Sequence, residues 1–413
     1  MTTLSTLGEN IIGSQIIKIN TTIKAVKDKT VYNYTIGDFN PDINPIPREL
    51  QSFIVQEYYK NQTNYPAAQG ELSLRKAVSE HYAKKNITYS ENEILIGAGV
   101  RPLIYTIYKT IVNPNQGVLY AAPSWNNDHY SFLSHANHIC VETTALNNFN
   151  LTTRDVLNNI GNARLICLCS PQNPTGSVMD RDTLKGICEL VLSKNDTTMT
   201  ETQTYILYDQ IYSELSDMSY HPLTVCPDIK PFLICVDGVS KSLSATGIRV
   251  GWMMASEKVI KQATQIFSHI GAWAPKPEQL GVAKYLPTAD YAEYIQEQKN
   301  QFEFIQLGFM AQIDKYKQYG FDYIKPDGAI YLAIKLPYRK TTTDLNYFLS
   351  YLINECNIGV VPFDYFGCKD SEWFRLSFGD VSTSEYSFEA RIEHFNGVLS
   401  KLKIFFGVER ISE

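Results

Sequence analysis

Short apolar runs alternate with helically spaced apolar positions through the middle of the chain. The strand candidates are 93–96, 117–121, 138–142, 164–169, 205–208, 232–236 and 248–254. Helix candidates, in which apolar residues recur every three or four positions, lie at 71–84, 102–112, 182–193 and 257–268. Strands that alternate with helices predict an α/β fold with a mainly parallel central sheet sandwiched by helices.

Beyond residue 288 the pattern changes to long amphipathic helices mixed with two strands. The helices are predicted at 290–315, 343–355 and 384–404, and the strands at 329–335 and 373–378. This mixture is typical of a smaller α+β domain. We therefore predict a large cofactor-binding domain at 46–288 and a small domain at 289–413, which the N-terminal segment 1–45 joins.

Composition narrows the class of protein. A chain of 413 residues with 44% hydrophobic residues can bury about two cores. Its net charge of -6 argues against nucleic acid as a partner. The sequence has neither an apolar run long enough to span a membrane nor a signal peptide, so we expect a cytoplasmic protein. The eight cysteines and seven histidines lack metal-ligand spacing, and no metal site is expected.

Polar residues follow the predicted strands, where open parallel sheets bind ligands. After 93–96 come Gly99, Val100, Arg101 and Pro102, and small residues before a helix allow backbone amides to close on a phosphate. An ordinary strand-to-helix turn explains the same pattern equally well.

Three further strand ends carry candidate chemistry. Trp125 follows 117–121 and could stack on an aromatic cofactor, although a core tryptophan is commoner. Asn173 follows 164–169. Asp209 follows 205–208, and Tyr212 lies three positions further on. A carboxylate at the end of an apolar strand requires a positive partner, such as a protonated ring nitrogen. Alternatively, Asp209 serves as a helix N-cap.

The most informative residue is Lys241, which follows 232–236 in a setting of small residues. A lysine that forms a Schiff base must be fixed in a pocket and able to lose its proton. Arg249 returns to the same place eight positions later and is suited to binding a phosphate. Taken alone, Lys241 also fits a surface loop amine.

In their order and spacing these motifs resemble the class I/II aminotransferases, which are fold-type I pyridoxal-phosphate enzymes similar to aspartate aminotransferase. The resemblance covers about Ile36 to Arg375. It depends on Gly37, Tyr65 with Gly70, Gly99, Trp125, Asn173 to Gly176, Asp209 with Tyr212, Ser240 with Lys241, Arg249 with Gly251, and Phe374 to Phe378.

The resemblance implies pyridoxal 5'-phosphate as cofactor and Lys241, Asp209 and Tyr212 as catalytic residues. Lys241 would form the internal aldimine and shuttle the Cα proton, and Asp209 would pair with the ring nitrogen. The implied cofactor-binding residues are Gly99, Val100, Arg101, Trp125, Asn173, Asp209, Tyr212, Ser240, Lys241, Arg249 and Tyr65. Tyr65 would reach the neighbouring subunit's phosphate, which implies a homodimer with shared active sites.

The implied reaction transfers an amino group from an α-amino acid to a 2-oxo acid by a ping-pong mechanism. Arg375 would bind the substrate α-carboxylate, with Gly37, Trp125 and Asn173 beside it. The sequence does not identify the donor. Lys276 could contact a second carboxylate, or Trp273, Trp125 and Tyr331 could form an aromatic pocket.

Two alternatives use the same scaffold. A pyridoxal-phosphate lyase or decarboxylase shares the cofactor and the lysine and differs only in the fate of the carbanion. A non-enzymatic regulator with an aminotransferase-like body would carry a DNA-binding domain, and about 35 residues before Ile36 are too few for one.

Overall fold

The computed structural model describes residues 4–11, 13–197, 199, 202–369 and 371–407. The α-helices are α1 Thr6–Asn10, α2 Gln15–Ala25, α3 Arg48–Tyr59, α4 Leu72–Ala83, α5 Val100–Ile111, α6 Asn127–Leu133, α7 Thr153–Asn159, α8 Arg181–Thr197, α9 Pro222–Val225, α10 Val239–Ser242, α11 Glu257–Ile270, α12 Lys276–Tyr285, α13 Ala289–Asp314, α14 Leu345–Asn354 and α15 Glu385–Phe405. The β-strands are β1 Tyr32–Asn33, β2 Ile94–Gly97, β3 Gly117–Ala122, β4 Asn137–Glu142, β5 Ala163–Cys169, β6 Tyr205–Asp209, β7 Leu233–Gly238, β8 Gly251–Met254, β9 Asp322–Ile324, β10 Tyr331–Lys335, β11 Ile358–Gly359, β12 Val361–Pro362 and β13 Trp373–Ser377.

The large sheet has seven strands in the order β2-β8-β7-β6-β5-β3-β4. Within the set β3 to β7, all neighbouring strands are parallel. Strand β8 runs antiparallel to both β2 and β7. This confirms the predicted mainly parallel sheet. Cys169 of β5 is in register with Asp209, and Asp209 with Val236 of β7, so the carboxyl ends of three strands meet at one edge.

Helices cover both faces of this sheet. Alternate residues of β3 enter different cores: Leu119 packs with residues of α4 and α8, whereas Val118 and Tyr120 pack with residues of α5 and α11. Because successive side chains of a strand point to opposite faces, a strand that is apolar throughout must be covered on both sides. The continuous apolar runs in the sequence have this origin.

The smaller sheet is antiparallel, with the order β12-β13-β10-β9, and a separate parallel pair joins β1 to β11. Its core combines Ile19 and Tyr34 with Phe348 and Phe395, so both chain ends contribute to one apolar cluster. Helix α13 enters both cores, since Ile295 belongs to the first and other α13 side chains to the second. The domain boundaries at 46 and 289 stay a prediction.

Two predicted strands begin two or more residues later in the structure. The candidate 248–254 begins only at Gly251, because Arg249 has a φ of 59° and turns into the site. The candidate 329–335 begins at Tyr331, because Ala329 has a φ of 62°. Within the described ranges, no helix combines the length and apolar character needed to cross a bilayer.

Candidate active site

Lys241 lies in the single-turn helix α10, directly after β7. Its Nζ donates a hydrogen bond to the carbonyl of Gly37 and lies 5.7 Å from the centre of the Phe39 ring. Burial lowers the pKa of Lys241 to about 8, and the neighbouring cation Arg375 acts in the same direction, whereas Asp38 opposes it. An amine with this pKa is partly neutral near pH 7, as a proton acceptor must be.

Residues 35–39, which we call the strap, cross over Lys241. The Thr35 carbonyl accepts a hydrogen bond from Arg375 at 2.6 Å, and the Asp38 carboxylate accepts one from Thr246 at 2.5 Å. A Cβ at Gly37 would collide with the Tyr331 hydroxyl, so only glycine allows this approach. The strap therefore joins the Lys241 segment to the small sheet.

Arg375 lies on β13 with 1% of its surface exposed. Besides its bond to the strap, it donates to Asn173 Oδ1 at 3.0 Å and lies over the rings of Tyr331 at 4.6 Å and Phe366 at 5.1 Å. Its Nε is buried without a hydrogen-bond partner. A buried guanidinium that has no carboxylate partner among the described residues is suited to binding a carboxylate ligand.

Asp209 ends β6, and its carboxylate accepts a hydrogen bond from the Ile211 amide at 3.1 Å. Burial raises the pKa of Asp209 to about 6. In the described part of the chain no lysine, arginine or histidine forms an ion pair with it, so its environment fits a cationic ring nitrogen. The Tyr212 hydroxyl lies 2.6 Å from that of Tyr331.

The phosphate candidates lie where β2 leads into α5. Gly99 has a φ of 81° and precedes Val100, the first residue of α5. Arg249 donates to the Ala98 carbonyl at 2.9 Å, and a Cβ on Gly99 would overlap its guanidinium. Ser240 is buried next to Lys241. A helix N-terminus beside an arginine fits a phosphate group.

Arg101 and Trp125 form the other side of the site. The Arg101 guanidinium lies 5.1 Å from the Trp125 ring, and Trp125 lies 6.1 Å from Phe366, which also contacts Arg375. The positive charge of Arg101 adds to the lowering of the pKa of Lys241, which burial causes first. Among the residues that the structure describes, none forms an ion pair with Arg101.

Among the described residues, none of the hydrogen bonds and ring contacts of Tyr65, Trp273 and Lys276 is with Lys241 or Arg375. Tyr65 is 82% exposed and its ring is 5.5 Å from that of Trp273. Lys276 donates to Asn64 at 3.0 Å. Trp273 therefore packs against Tyr65, and the roles suggested for these three residues stay predictions.

Three contributors to the site were not predicted from the sequence. Thr35 acts through its backbone carbonyl, which any residue could supply. Phe366 comes from a short 3₁₀ helix, Phe363–Phe366, and reaches Arg375 only through the tertiary fold. Asp38 follows Gly37 directly, and its position beside a candidate glycine was the one available clue. Over the described ranges, no group of histidines, cysteines and carboxylates is arranged to hold a metal ion.

Three features together fit a phosphorylated aldehyde cofactor with a basic ring. They are the buried Lys241, the Asp209 carboxylate, which has no ion-pair partner among the described residues, and the N-terminus of α5 beside Arg249. The family model for aminotransferase class I and II matches residues 33–390, and the chain belongs to this family. It is a pyridoxal-phosphate-dependent aminotransferase.

Individual relatives are similar over most of the chain. The aspartate aminotransferase of Bacillus sp. (strain YM-2) is 26% identical over 393 residues, covering 93% of this chain and 95% of the relative. A probable N-acetyl-LL-diaminopimelate aminotransferase of Bacillus subtilis is 27% identical over 84% of each chain. Among solved structures, the Rhizobium meliloti aspartate aminotransferase has a TM-score of 0.86 at 21% identity, covering 97% and 99% of the two chains. The Thermus thermophilus enzyme with maleate has a TM-score of 0.84 at 20% identity, covering 96% and 100%.

Proposed function

We propose that this aminotransferase takes its amino group from a dicarboxylic amino acid and passes it to a 2-oxo acid. The observation that carries this proposal is the surplus of positive charge around Lys241. Burial is the largest cause of the lowered pKa of Lys241; the positive charges of Arg375, Arg101 and Arg249 lower it further, and Asp38 raises it. Each of the three arginines can be matched with an anion of the cofactor or of the substrate.

The cofactor accounts for part of this charge. Pyridoxal phosphate supplies the aldehyde that exchanges amines and an electron-withdrawing ring that makes the substrate Cα proton acidic. Arg249, Ser240 and the amides at Gly99 and Val100 bind the phosphate. Asp209 holds the ring nitrogen in its protonated form, because a buried anion stabilises a cation at this position.

Lys241 moves the proton. Its Nζ, with a pKa of about 8, is neutral often enough near pH 7 to accept the Cα proton of a bound amino acid. The Gly37 carbonyl accepts a hydrogen bond from this Nζ and so fixes its direction. Asn173 and Tyr212 contact the ring's oxygen and complete the cofactor-binding residues.

The substrate accounts for the remaining cations. Arg375, already oriented by Asn173 and the strap, binds the α-carboxylate. Arg101 is exposed and forms no ion pair among the described residues, and it is therefore accessible to a second carboxylate on the substrate side chain. We therefore propose that Arg101 binds the substrate and not the cofactor, which differs from the role that the resemblance implied. Aspartate in the relatives' names and maleate in the Thermus thermophilus structure are consistent with such a ligand.

We further propose a homodimer in which Tyr65 enters the partner's site. Its 82% exposure and its single ring contact among the described residues, with Trp273, support a role outside its own protomer. Localisation in the cytoplasm stays a prediction.

A matched pair of donors tests the substrate proposal. Aspartate and asparagine have nearly the same shape and differ in one charge, so single-turnover reactions without an acceptor should favour aspartate by about 100-fold. Arg101→Gln should reduce this preference to a few-fold while alanine turnover stays unchanged. Equal rates with aspartate and asparagine in the wild type would reject the proposal.

Two further measurements separate the cofactor assignment from the substrate assignment. Borohydride reduction followed by peptide mapping should label Lys241, and labelling elsewhere would contradict its role. Continuous release of ammonia and a 2-oxo acid without an acceptor would identify the lyase alternative instead.

A further inference from the structure

A buried polar pair, Tyr82 and Asp237, lies next to the segments that carry the site residues. Tyr82 is in the last turn of α4, Asp237 is on β7, and each is 2% exposed. The Tyr82 hydroxyl donates to Asp237 Oδ2 at 2.5 Å. Neither residue has a part in the chemistry proposed above.

Tyr82 connects to two of these segments. Its hydroxyl oxygen accepts hydrogen bonds from Gln210 Nε2 at 2.8 Å and from Trp252 Nε1 at 3.4 Å. Gln210 follows Asp209 in the chain, and Trp252 lies on β8, three residues after Arg249. One hydroxyl therefore links the residue next to the ring-nitrogen carboxylate to the strand that follows the phosphate arginine.

Asp237 connects to the lysine segment. Its Oδ1 accepts a hydrogen bond from the Gly238 amide at 2.7 Å, and Ser213 Oγ lies 3.5 Å from Oδ2. Gly238 begins the turn that leads to Lys241, and Ser213 follows Tyr212. The pair thus bonds to a direct neighbour of Asp209, a direct neighbour of Tyr212 and the turn before Lys241.

Helix α4 holds the same loop at a second point. His81 Nε2 lies 2.9 Å from Glu214 Oε1, and Lys85 also pairs with Glu214. Burial opposes ionisation of Glu214, but hydrogen bonds from His81 and Lys85 lower its pKa to about 2, so the carboxylate is charged at neutral pH. The loop that carries Asp209 and Tyr212 is therefore fixed to α4 on both sides.

Stability alone would not require this arrangement. Tyr82 and its neighbours lie in an apolar core, where well-packed apolar residues of similar volume are often as stable as buried polar ones. A fully satisfied polar network instead restricts the core to one geometry. Its three connections lead to the elements that must keep fixed distances from one another.

We propose that the Tyr82–Asp237 pair is a positioning device that sets the placement of Asp209 relative to Lys241 and Arg249. This inference rests on the proposed roles of those three residues. The pair touches neither cofactor nor substrate, and it acts through Gln210, Gly238 and Trp252. It therefore governs cofactor binding and proton transfer and leaves the α-carboxylate site on β13 unaffected.

Tyr82→Phe and Asp237→Asn test the pair in the holoenzyme. Phenylalanine removes the hydroxyl, whereas asparagine keeps the Gly238 bond but leaves the Tyr82 proton without its acceptor. The matched control is Tyr89→Phe. Tyr89 is also 2% exposed in the same core, but its hydroxyl contacts only Cys235 among the described side chains, at 3.9 Å.

The expected result has three parts. The cofactor dissociation constant rises about tenfold in each pair variant and stays within about twofold in the control, because a lost buried bond changes affinity by this order. The kcat falls while the KM for the amino donor changes little. In the double variant, the cofactor dissociation constant rises by no more than about threefold beyond that of either single variant, since the effects of coupled residues are not additive.

Two results would overturn the inference. The first is a Tyr82→Phe variant with the same cofactor affinity and kcat as the Tyr89→Phe control, even if both variants have a lower melting temperature. This result would show that the pair has only a structural role. Multiplied effects in the double variant would show two independent residues. Borohydride mapping of the wild type separates the two failures. Labelling away from Lys241 would contradict the site assignment on which this inference rests, whereas a Lys241 label together with an unaffected Tyr82→Phe variant would contradict this inference alone.

Discussion

Replacing Lys241 by methionine is expected to stabilise the cofactor-free protein, although the variant cannot catalyse transamination. Methionine keeps the unbranched shape of the side chain and removes its charge. In the folded protein this charge is buried and lies near Arg375, Arg101 and Arg249, all of which lower the pKa of Lys241. The substitution removes this unfavourable arrangement.

The magnitude is set by the pKa. Lys241 titrates near 8 in the folded protein against 10.5 in the open chain, and this difference corresponds to about 3 kcal/mol at pH 7. Loss of the hydrogen bond to Gly37 and of the contact with Phe39 offsets about 1–2 kcal/mol. The variant should therefore gain about 1–2 kcal/mol in the free energy of unfolding.

The gain should depend on pH with a defined sign. Between about pH 8 and 10.5 the unfolded chain holds the lysine proton and the folded protein does not, so wild-type stability rises with pH. The advantage of the methionine variant is complete below pH 8, falls to about zero near pH 9.5, where the remaining charge penalty equals the lost contacts, and reverses toward pH 10.5.

Urea unfolding of both apoproteins at pH 7 and pH 9.5, at equal protein concentration, measures this gain. Lys76→Met, at an exposed lysine of α4, controls for replacing a lysine by an apolar residue. A methionine variant that is less stable than the wild type at pH 7, or a gain that does not shrink at pH 9.5, would refute the reasoning.

Three further predictions address the ligand-binding groups. The lysine of Arg375→Lys cannot form a bidentate pair with a carboxylate. The KM for the amino donor should therefore rise about 10- to 100-fold while the cofactor absorbance stays unchanged. Gly99→Ala places a Cβ against Arg249 at a positive φ, and equilibrium dialysis should show about tenfold weaker cofactor binding. Mixing inactive Tyr65→Ala and Lys241→Ala proteins should restore activity through hybrid dimers, and a mixture that stays inactive would argue against shared sites.

The main architecture could be predicted because apolar burial leaves a direct record in the sequence. The strands β3, β5, β6 and β7 are buried on both faces, and their continuous apolar runs were sufficient to predict the centre of the sheet, whereas β4 is an exposed edge strand. Helices α3 and α12 were not predicted. The exposed face of α3 includes large apolar residues such as Tyr58 and Tyr59, which obscure its helical spacing.

The site was predictable only in part. Lys241 and Asp209 follow strands, so their position at one sheet edge follows from topology. The contact between Arg375 and Thr35 depends on how β13 meets the strap, which no local pattern encodes. The start of β8 also could not be predicted, because Arg249 adopts a positive φ, which its residue type does not favour, where its side chain donates to the Thr246 and Ala98 carbonyls.

The strap has a consequence for how the protein is made. Thr35 and Arg375 are 340 positions apart in the chain, and the Tyr34 carbonyl accepts a hydrogen bond from the Ser377 amide at 3.0 Å. The strap leaves the ribosome early and must wait for β13 to be synthesised, and such distant contacts slow folding. The residues of the cofactor site can therefore assemble first in the nascent chain. Arg375, which binds the substrate carboxylate in our proposal, reaches its place only near the end of translation.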